Sequence, residues 1–234
     1  LEQWTGTPSL DEYQSRNPDR VRKQMAAIYT ALTEQQIIYS TIPASFEEHG
    51  QCVRLIDSVL AQKLGTCLDM ALLYASCLES IGLNALIVIT KGHAFAGGWL
   101  VPETFPDPAI DDVSLLTKRT AEGIYDITLV ETTCMNMVHN ADFDNAVKSA
   151  NGKLSDPGSF ILAIDIRRAR HSGVRPIPQR VLNGQVWEIK EDEDMNRNTT
   201  HATPQSVNPY DLSGSETQTV LTKQLLWERR LLDL

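Results

Sequence analysis

From Thr66 to Val101 the sequence sets a helix and two strands one after another, and this run constrains the fold more than any other. Leu68, Ala71, Leu72, Ala75, Leu78 and Ile81 recur at helical spacing on one face, and Gly82 ends the run. Ala85 to Thr90 follows as an unbroken apolar stretch suited to a buried strand. His93 to Val101 then reads as a second strand. Elsewhere, Asn17-Pro18 has the chemistry of a helix start, with a capping Asn before a Pro at the first helical position. Val21, Met25, Ile28, Tyr29 and Leu32 continue it at 3–4 spacing.

The remaining elements are shorter. Ile37 to Tyr39 predicts a strand, Ile42 to Gly50 a loop, and Leu55 to Gln62 a short helix. Asp111 to Glu122 predicts a polar helix or loop, an insertion. Ile124 to Thr132 predicts a third strand, Phe143 to Leu154 a helix, and Phe160 to Ile166 a fourth strand. Helices first and strands mostly later point to an α+β fold. Residues 1–16 read as a loose lead-in and 17–190 as the main domain. Residues 191–218, opening with an acidic run and then rich in Asn, Thr, Ser and Pro, read as a linker. Residues 219–234 resume helical spacing as the start of a following segment.

Composition narrows the function classes. Of 234 residues 42 % are hydrophobic, enough for one large domain to bury a core without disulfides or metals. The longest aliphatic run, Ala85 to Ile89, is far short of a bilayer span, so no membrane partner is expected. Twenty-one basic against 30 acidic residues leave a net charge of −9, which argues against nucleic acid as the partner. The N-terminus has no secretory signature and no Met, so a cytoplasmic location and a longer parent chain are expected. The four cysteines, at 52, 67, 77 and 134, form no CxxC pair. Free thiols, no metal and no cofactor are the expectation.

Chemistry concentrates at Gly65-Thr66-Cys67-Leu68-Asp69. Thr66 suits an N-cap and Asp69 the capping-box acid three residues on, which places Cys67 at the first helical position. The partial positive charge of a helix N-terminus favours thiolate over thiol. The free N–H groups there can hold a developing oxyanion. His93, one helix and one strand later, can fold back to pair with the thiol. A carboxylate should orient the imidazole, and both Asp126 and Glu131 lie on the next predicted strand. Five residues apart, they face opposite sides of a regular strand. Glu131 sits among apolar and β-branched residues, Asp126 nearer a Gly-led turn. Phe95 and Trp99 share the parity of His93 and could wall a groove, and core packing explains them equally well. Gly97 and Gly98 suggest a bulge or a close backbone approach.

These segments resemble the transglutaminase-like superfamily. The resemblance runs over about residues 55–133 and rests on Gly65-Thr66-Cys67-Leu68-Asp69-Met70-Ala71-Leu72-Leu73, His93-Ala94-Phe95 and Val130-Glu131-Thr132-Thr133. It implies a papain/transglutaminase-like core, with the catalytic helix packed on an antiparallel sheet, and a triad of Cys67, His93 and Glu131. Asp126 is the alternative third member. Gln62, upstream of the cysteine, matches an oxyanion-hole position, and Asp69 would support the site. Phe95 stands where the family often has Trp, Glu131 where it usually has Asp, and residues 102–122 look like an insertion. The implied activity is cysteine-nucleophile acyl transfer, by hydrolysis or transamidation, on a peptide or protein amide. A catalytically silent module binding a peptide or protein is the alternative. Ser45-Phe46-Glu47, Gly50-Gln51-Cys52-Val53-Arg54-Leu55 and Leu226-Trp227-Glu228-Arg229-Arg230 also resemble a transglutaminase-like module of very large bacterial helicase-related proteins. That implies other domains of the parent as partners. No Gly-x4-Gly-Lys-Ser/Thr loop occurs, so no ATP hydrolysis is expected.

Overall fold

The computed structural model describes residues 2, 6, 8–41, 52–136, 141–177, 180–183 and 186–189. The loop expected at 42–50, the linker at 191–218 and the segment at 219–234 lie outside them. Asn17 caps helix α1 (Pro18–Thr33) by accepting the Asp19 N–H at 2.9 Å. A two-residue strand β1 (Ile38–Tyr39), helix α2 (Ile56–Gln62) and strand β2 (Leu64–Gly65) lead to α3 (Cys67–Ser80). Lys63 ends α2 in a left-handed turn, φ 52°, which releases the chain into β2. There Ile38 pairs with Leu64 and Tyr39 with Gly65 in parallel.

Strands β3 (Ala85–Thr90) and β4 (His93–Trp99) form a hairpin. Its two-residue turn holds Gly92 at φ 72°, so Thr90 and His93 make the first rung. After β5 (Ala109–Ile110) and α4 (Val113–Thr120), β6 (Ile127–Val130) pairs with β4. A 3₁₀ turn (Thr132–Met135), α5 (Phe143–Lys153), β7 (Phe160–Asp165) and α6 (Ile166–His171) complete this unit. The five-stranded sheet has the order β5-β7-β3-β4-β6, antiparallel throughout. The fold is therefore α+β. Among the described residues no helix is long and apolar enough to cross a membrane.

Both sheet faces are covered, which explains why Ala85 to Ile89 shows no polar alternation. Ala85, Ile87, Ala96, Leu100 and Val130 face the core shared with α1 and α3. Leu86, Val88, Phe95, Trp99 and Leu129 face a second core, with Phe105 and Leu116. Two glycines permit the close packing. A Cβ on Gly97 would stand 2.6 Å from the Thr128 carbonyl of β6, and one on Gly98 3.2 Å from Met25 of α1. The β3–β4 register runs unbroken through both, so they serve close approach rather than a bulge, and the irregular rung falls between Ile89 and Thr90 against β7.

Several elements differ from the sequence expectation. The third strand spans only Ile127–Val130, because Tyr125 adopts φ 50° before it and Thr132 begins a 3₁₀ turn after it. The lead-in is tied down: Tyr13 donates to the Trp99 carbonyl at 3.1 Å and accepts the Asn84 N–H at 2.8 Å. Directly after β7 the chain enters helix α6, where Arg170 grips Glu79 through two bonds of 2.7 and 2.9 Å. The compact unit carrying the sheet ends at Arg175, short of the expected 190. The second unit, 176–234, contains an antiparallel hairpin of β8 (Arg180–Asn183) and β9 (Val186–Ile189).

Candidate active site

Cys67 occupies the first position of α3. Thr66 caps the helix by accepting the Asp69 N–H at 3.2 Å, and Asp69 accepts the Thr66 N–H at 3.0 Å in return. Asp69 also accepts the Arg54 backbone N–H at 2.9 Å and its guanidinium at 3.0 Å. Burial pushes the Asp69 carboxyl up, but these donors prevail and hold it below its ordinary pKa. Asp69 therefore acts on the helix start and on the segment at Arg54, and fixes where the sulfur stands.

His93 opens β4 three residues before pairing with β6 begins at Ala96–Val130, so its ring is not enclosed between strands. One side of the imidazole meets the cysteine: the Cys67 sulfur and the His93 ring stand close enough to shift each other's pKa. On the other side, Nε2 lies 2.8 Å from Glu131 Oε2. That leaves Nδ1 for the sulfur. Glu131 follows the last residue of β6 and caps the 3₁₀ turn. Its Oε1 accepts the Thr133 N–H at 3.1 Å and the Thr133 hydroxyl at 2.7 Å. Lys153, at the end of α5, brings its Nζ to 3.5 Å from Oε2. The carboxylate is 2 % exposed, and every contact made to it is one an ionised group requires.

The charges support one another. Burial opposes ionisation of Cys67, yet the His93 hydrogen bond and the N–H groups of Ala94 and Leu68 pull the thiol below its ordinary pKa. Burial also opposes the imidazolium, yet Cys67 and Glu131 together raise His93 to about 9. Burial pushes Glu131 up, and His93 and Thr133 bring it below the ordinary carboxylate value. The three shifts act together: each favours the charged form, thiolate, imidazolium and carboxylate, over the neutral one. By contrast, burial raises both Cys77 and Cys134.

Other sequence candidates fall elsewhere. Asp126 precedes β6 and pairs with Arg119 at 3.1 Å, away from His93. Gln62 is exposed in the last turn of α2, and among the described residues no hydrogen bond engages it. Phe95 and Trp99 do not wall a groove. Both are fully buried in the second core, packed with Leu86, Val88 and Leu129 on that face of the sheet. There Trp99 Nε1 donates to Asp165 at 3.0 Å. Only Phe95 keeps contact with the site, stacked 6.2 Å from the His93 ring.

Two groups escaped the sequence reading. Lys153 had no signal beyond being a basic residue at a helix end. Tyr39 was legible only as a strand residue, yet its hydroxyl stands near enough to the Cys67 sulfur to feel its charge. Burial first, then the charge of the thiolate, raises the Tyr39 pKa, so this hydroxyl stays protonated and able to donate. A cavity of about 190 Å³ lies at the opposite end of α3, lined by Glu79, Asn84 and Arg170 among others, and takes no part in this cluster. Comparisons of the chain with protein-family models, with curated proteins and with solved structures returned no match.

Proposed function

We propose that this chain carries a papain/transglutaminase-like core and acts by cysteine-nucleophile acyl transfer on a peptide or protein amide. The observation that carries the reading is the unbroken line from Cys67 through His93 to Glu131, with the sulfur at a capped helix start. In the proposed reaction the Cys67 thiolate attacks the carbonyl carbon. A C–S bond forms, and the carbonyl electron pair moves to oxygen. The His93 imidazolium gives its Nδ1 proton to the leaving amine, the C–N bond breaks, and an acyl thioester remains. Water or a second amine then attacks the thioester carbon, neutral His93 takes the incoming proton, and the C–S bond breaks to release the acyl product and return Cys67 as thiolate. Glu131 holds the ring in place and balances its charge. The first outcome is hydrolysis and the second transamidation.

The departures from the family pattern do not favour a silent binding module. Glu131, one methylene longer than Asp, still meets Nε2 at 2.8 Å, and Phe95 belongs to the core. The resemblance to a module of large bacterial helicase-related proteins further suggests an amide substrate met beside other domains of a parent protein.

Site-resolved alkylation tests the proposal. With iodoacetamide at about pH 6.5, Cys67 should label at least about tenfold faster than Cys77 or Cys134, because only the thiolate reacts and burial keeps those two protonated. Equal rates at the three positions, or a Cys67 rate unchanged by His93→Ala, would contradict it.

A further inference from the structure

The group at this site that the triad leaves unused is Tyr39. Its place is set by the pairing of β1 with β2, in which Tyr39 stands opposite Gly65. The Ile38 N–H donates to the Lys63 carbonyl at 2.8 Å and the Ser40 N–H to the Gly65 carbonyl at 2.9 Å, bracketing that rung. The rung lies two residues before Cys67, which sets Tyr39 beside the sulfur closely enough for the cysteine's charge to raise the phenol pKa. Tyr39 is only half-buried, and an incoming carbonyl can reach it.

At rest the charge on the sulfur faces the Tyr39 hydroxyl, His93 and the N–H groups of Leu68 and Ala94. Attack on a carbonyl changes what those donors face. The sulfur electron pair becomes the C–S bond, and the negative charge passes to the carbonyl oxygen, two bonds away. A thioester sulfur is a weak acceptor, and the oxyanion a strong one. The backbone donors are fixed, and the imidazolium proton is committed to the leaving group. The phenol can turn about its side-chain torsions and follow the charge. The Cys67 N–H, first of the helix, has no acceptor among the described residues.

We propose that Tyr39 is a catalytic residue of this site: its hydroxyl rests on the thiolate and moves to the carbonyl oxygen as the tetrahedral intermediate forms, completing an oxyanion site whose fixed half is the Cys67 N–H. The inference rests on the acyl-transfer reading above. It gives Tyr39 the role that the family pattern would give Gln62, which is exposed at the end of α2.

Two probes with different demands test it in the full chain. Iodoacetamide reacts at a saturated carbon: a C–S bond forms, iodide leaves, and no oxyanion arises. p-Nitrophenyl acetate transfers its acetyl group through an oxyanion and releases p-nitrophenolate. For Tyr39→Phe, measured on the plateau of each protein's alkylation rate against pH, alkylation of Cys67 should stay within about threefold of wild type. Acetylation should fall about 100-fold, the usual effect of removing one oxyanion donor. Acetylation within threefold of wild type overturns the inference. So does an equal fall in both rates, which would make Tyr39 a support of the thiolate alone. A wild-type chain that is neither rapidly alkylated nor acetylated defeats the acyl-transfer reading itself, and the inference with it. A reactive wild type with an indifferent Tyr39→Phe defeats the inference only.

Discussion

Glu131→Gln keeps the side-chain length and changes one atom, yet it should invert the proton pattern of the histidine. In the wild type, Oε1 accepts both Thr133 donors and Oε2 faces His93 Nε2. A glutamine that keeps its oxygen on Thr133 must turn its NH₂ toward Nε2. That nitrogen then has to accept, so the ring carries its one proton on Nδ1, toward the sulfur. Such a ring is neutral and cannot take the thiol proton. Lys153, 3.5 Å from the same carboxylate oxygen, would lose its negative partner and oppose the imidazolium. The magnitude follows from His93. Against the opposing effect of burial, Cys67 and Glu131 raise it from 6.5 to about 9. At about 1.4 kcal/mol per pH unit this is about 3 kcal/mol in favour of the imidazolium. Glu131 is one of those two partners, and losing its charge should lower the ion-pair population by roughly tenfold. The assay is the iodoacetamide rate at Cys67 against pH. For Glu131→Gln the rising limb should move up by about one pH unit, with a roughly tenfold lower rate near neutrality. Asp126→Asn should leave the profile in place, because Asp126 is held by Arg119. A Glu131→Gln profile that superimposes on wild type would refute the reasoning, as would a shift confined to Asp126→Asn.

Other perturbations have equally definite outcomes. Asp69→Ala removes the acceptor for two backbone N–H groups and the partner of Arg54, and should lower stability by about 3 kcal/mol in urea unfolding. A loss below about 0.5 kcal/mol would show that the capping box does not anchor α3. Gly97→Ala drives a Cβ to 2.6 Å from the Thr128 carbonyl and 2.7 Å from Leu129. It should cost about 1–3 kcal/mol in thermal or chemical unfolding, and more than Gly98→Ala, whose closest contact is 3.2 Å. The pH dependence separates two reactions of one sulfur. Both appear as pH rises through the lowered Cys67 pKa. Alkylation then holds its plateau, whereas transfer from an unactivated amide should fall as pH rises through about 9, where His93 loses the proton owed to the leaving amine. A flat amide-cleavage profile from pH 8 to about 10.5 would contradict that role.

Much of the site was legible because its signals are local. The Thr66/Asp69 capping box and Asn17-Pro18 are read within four residues, and the structure shows both caps. The helix–strand–strand run from Thr66 was legible because its period changes where the elements change. What escaped was set by distant chain. Tyr39 reaches the sulfur through a parallel pairing with residues far along the sequence, and that register leaves no mark at Tyr39 itself. Lys153 arrives from a helix packed over β6. Phe95 and Trp99 share parity with His93, which left groove wall and core packing equally open, and burial under Phe105 and Leu116 decides for the core. The carboxylate was chosen between Asp126 and Glu131 on burial and resemblance. The choice turns physically on strand ends, since β6 is only four residues long and leaves Asp126 outside it.

The central claim is that Cys67 becomes acylated through its pair with His93. The direct measurement is peptide mapping by mass spectrometry after brief exposure to p-nitrophenyl acetate and acid quench, in wild type and in His93→Ala. The account predicts an acetyl thioester on Cys67 in the wild type, absent from Cys52, Cys77 and Cys134, and lost in His93→Ala. Acetyl groups spread evenly over the four cysteines, or on Cys67 equally in both proteins, would contradict it.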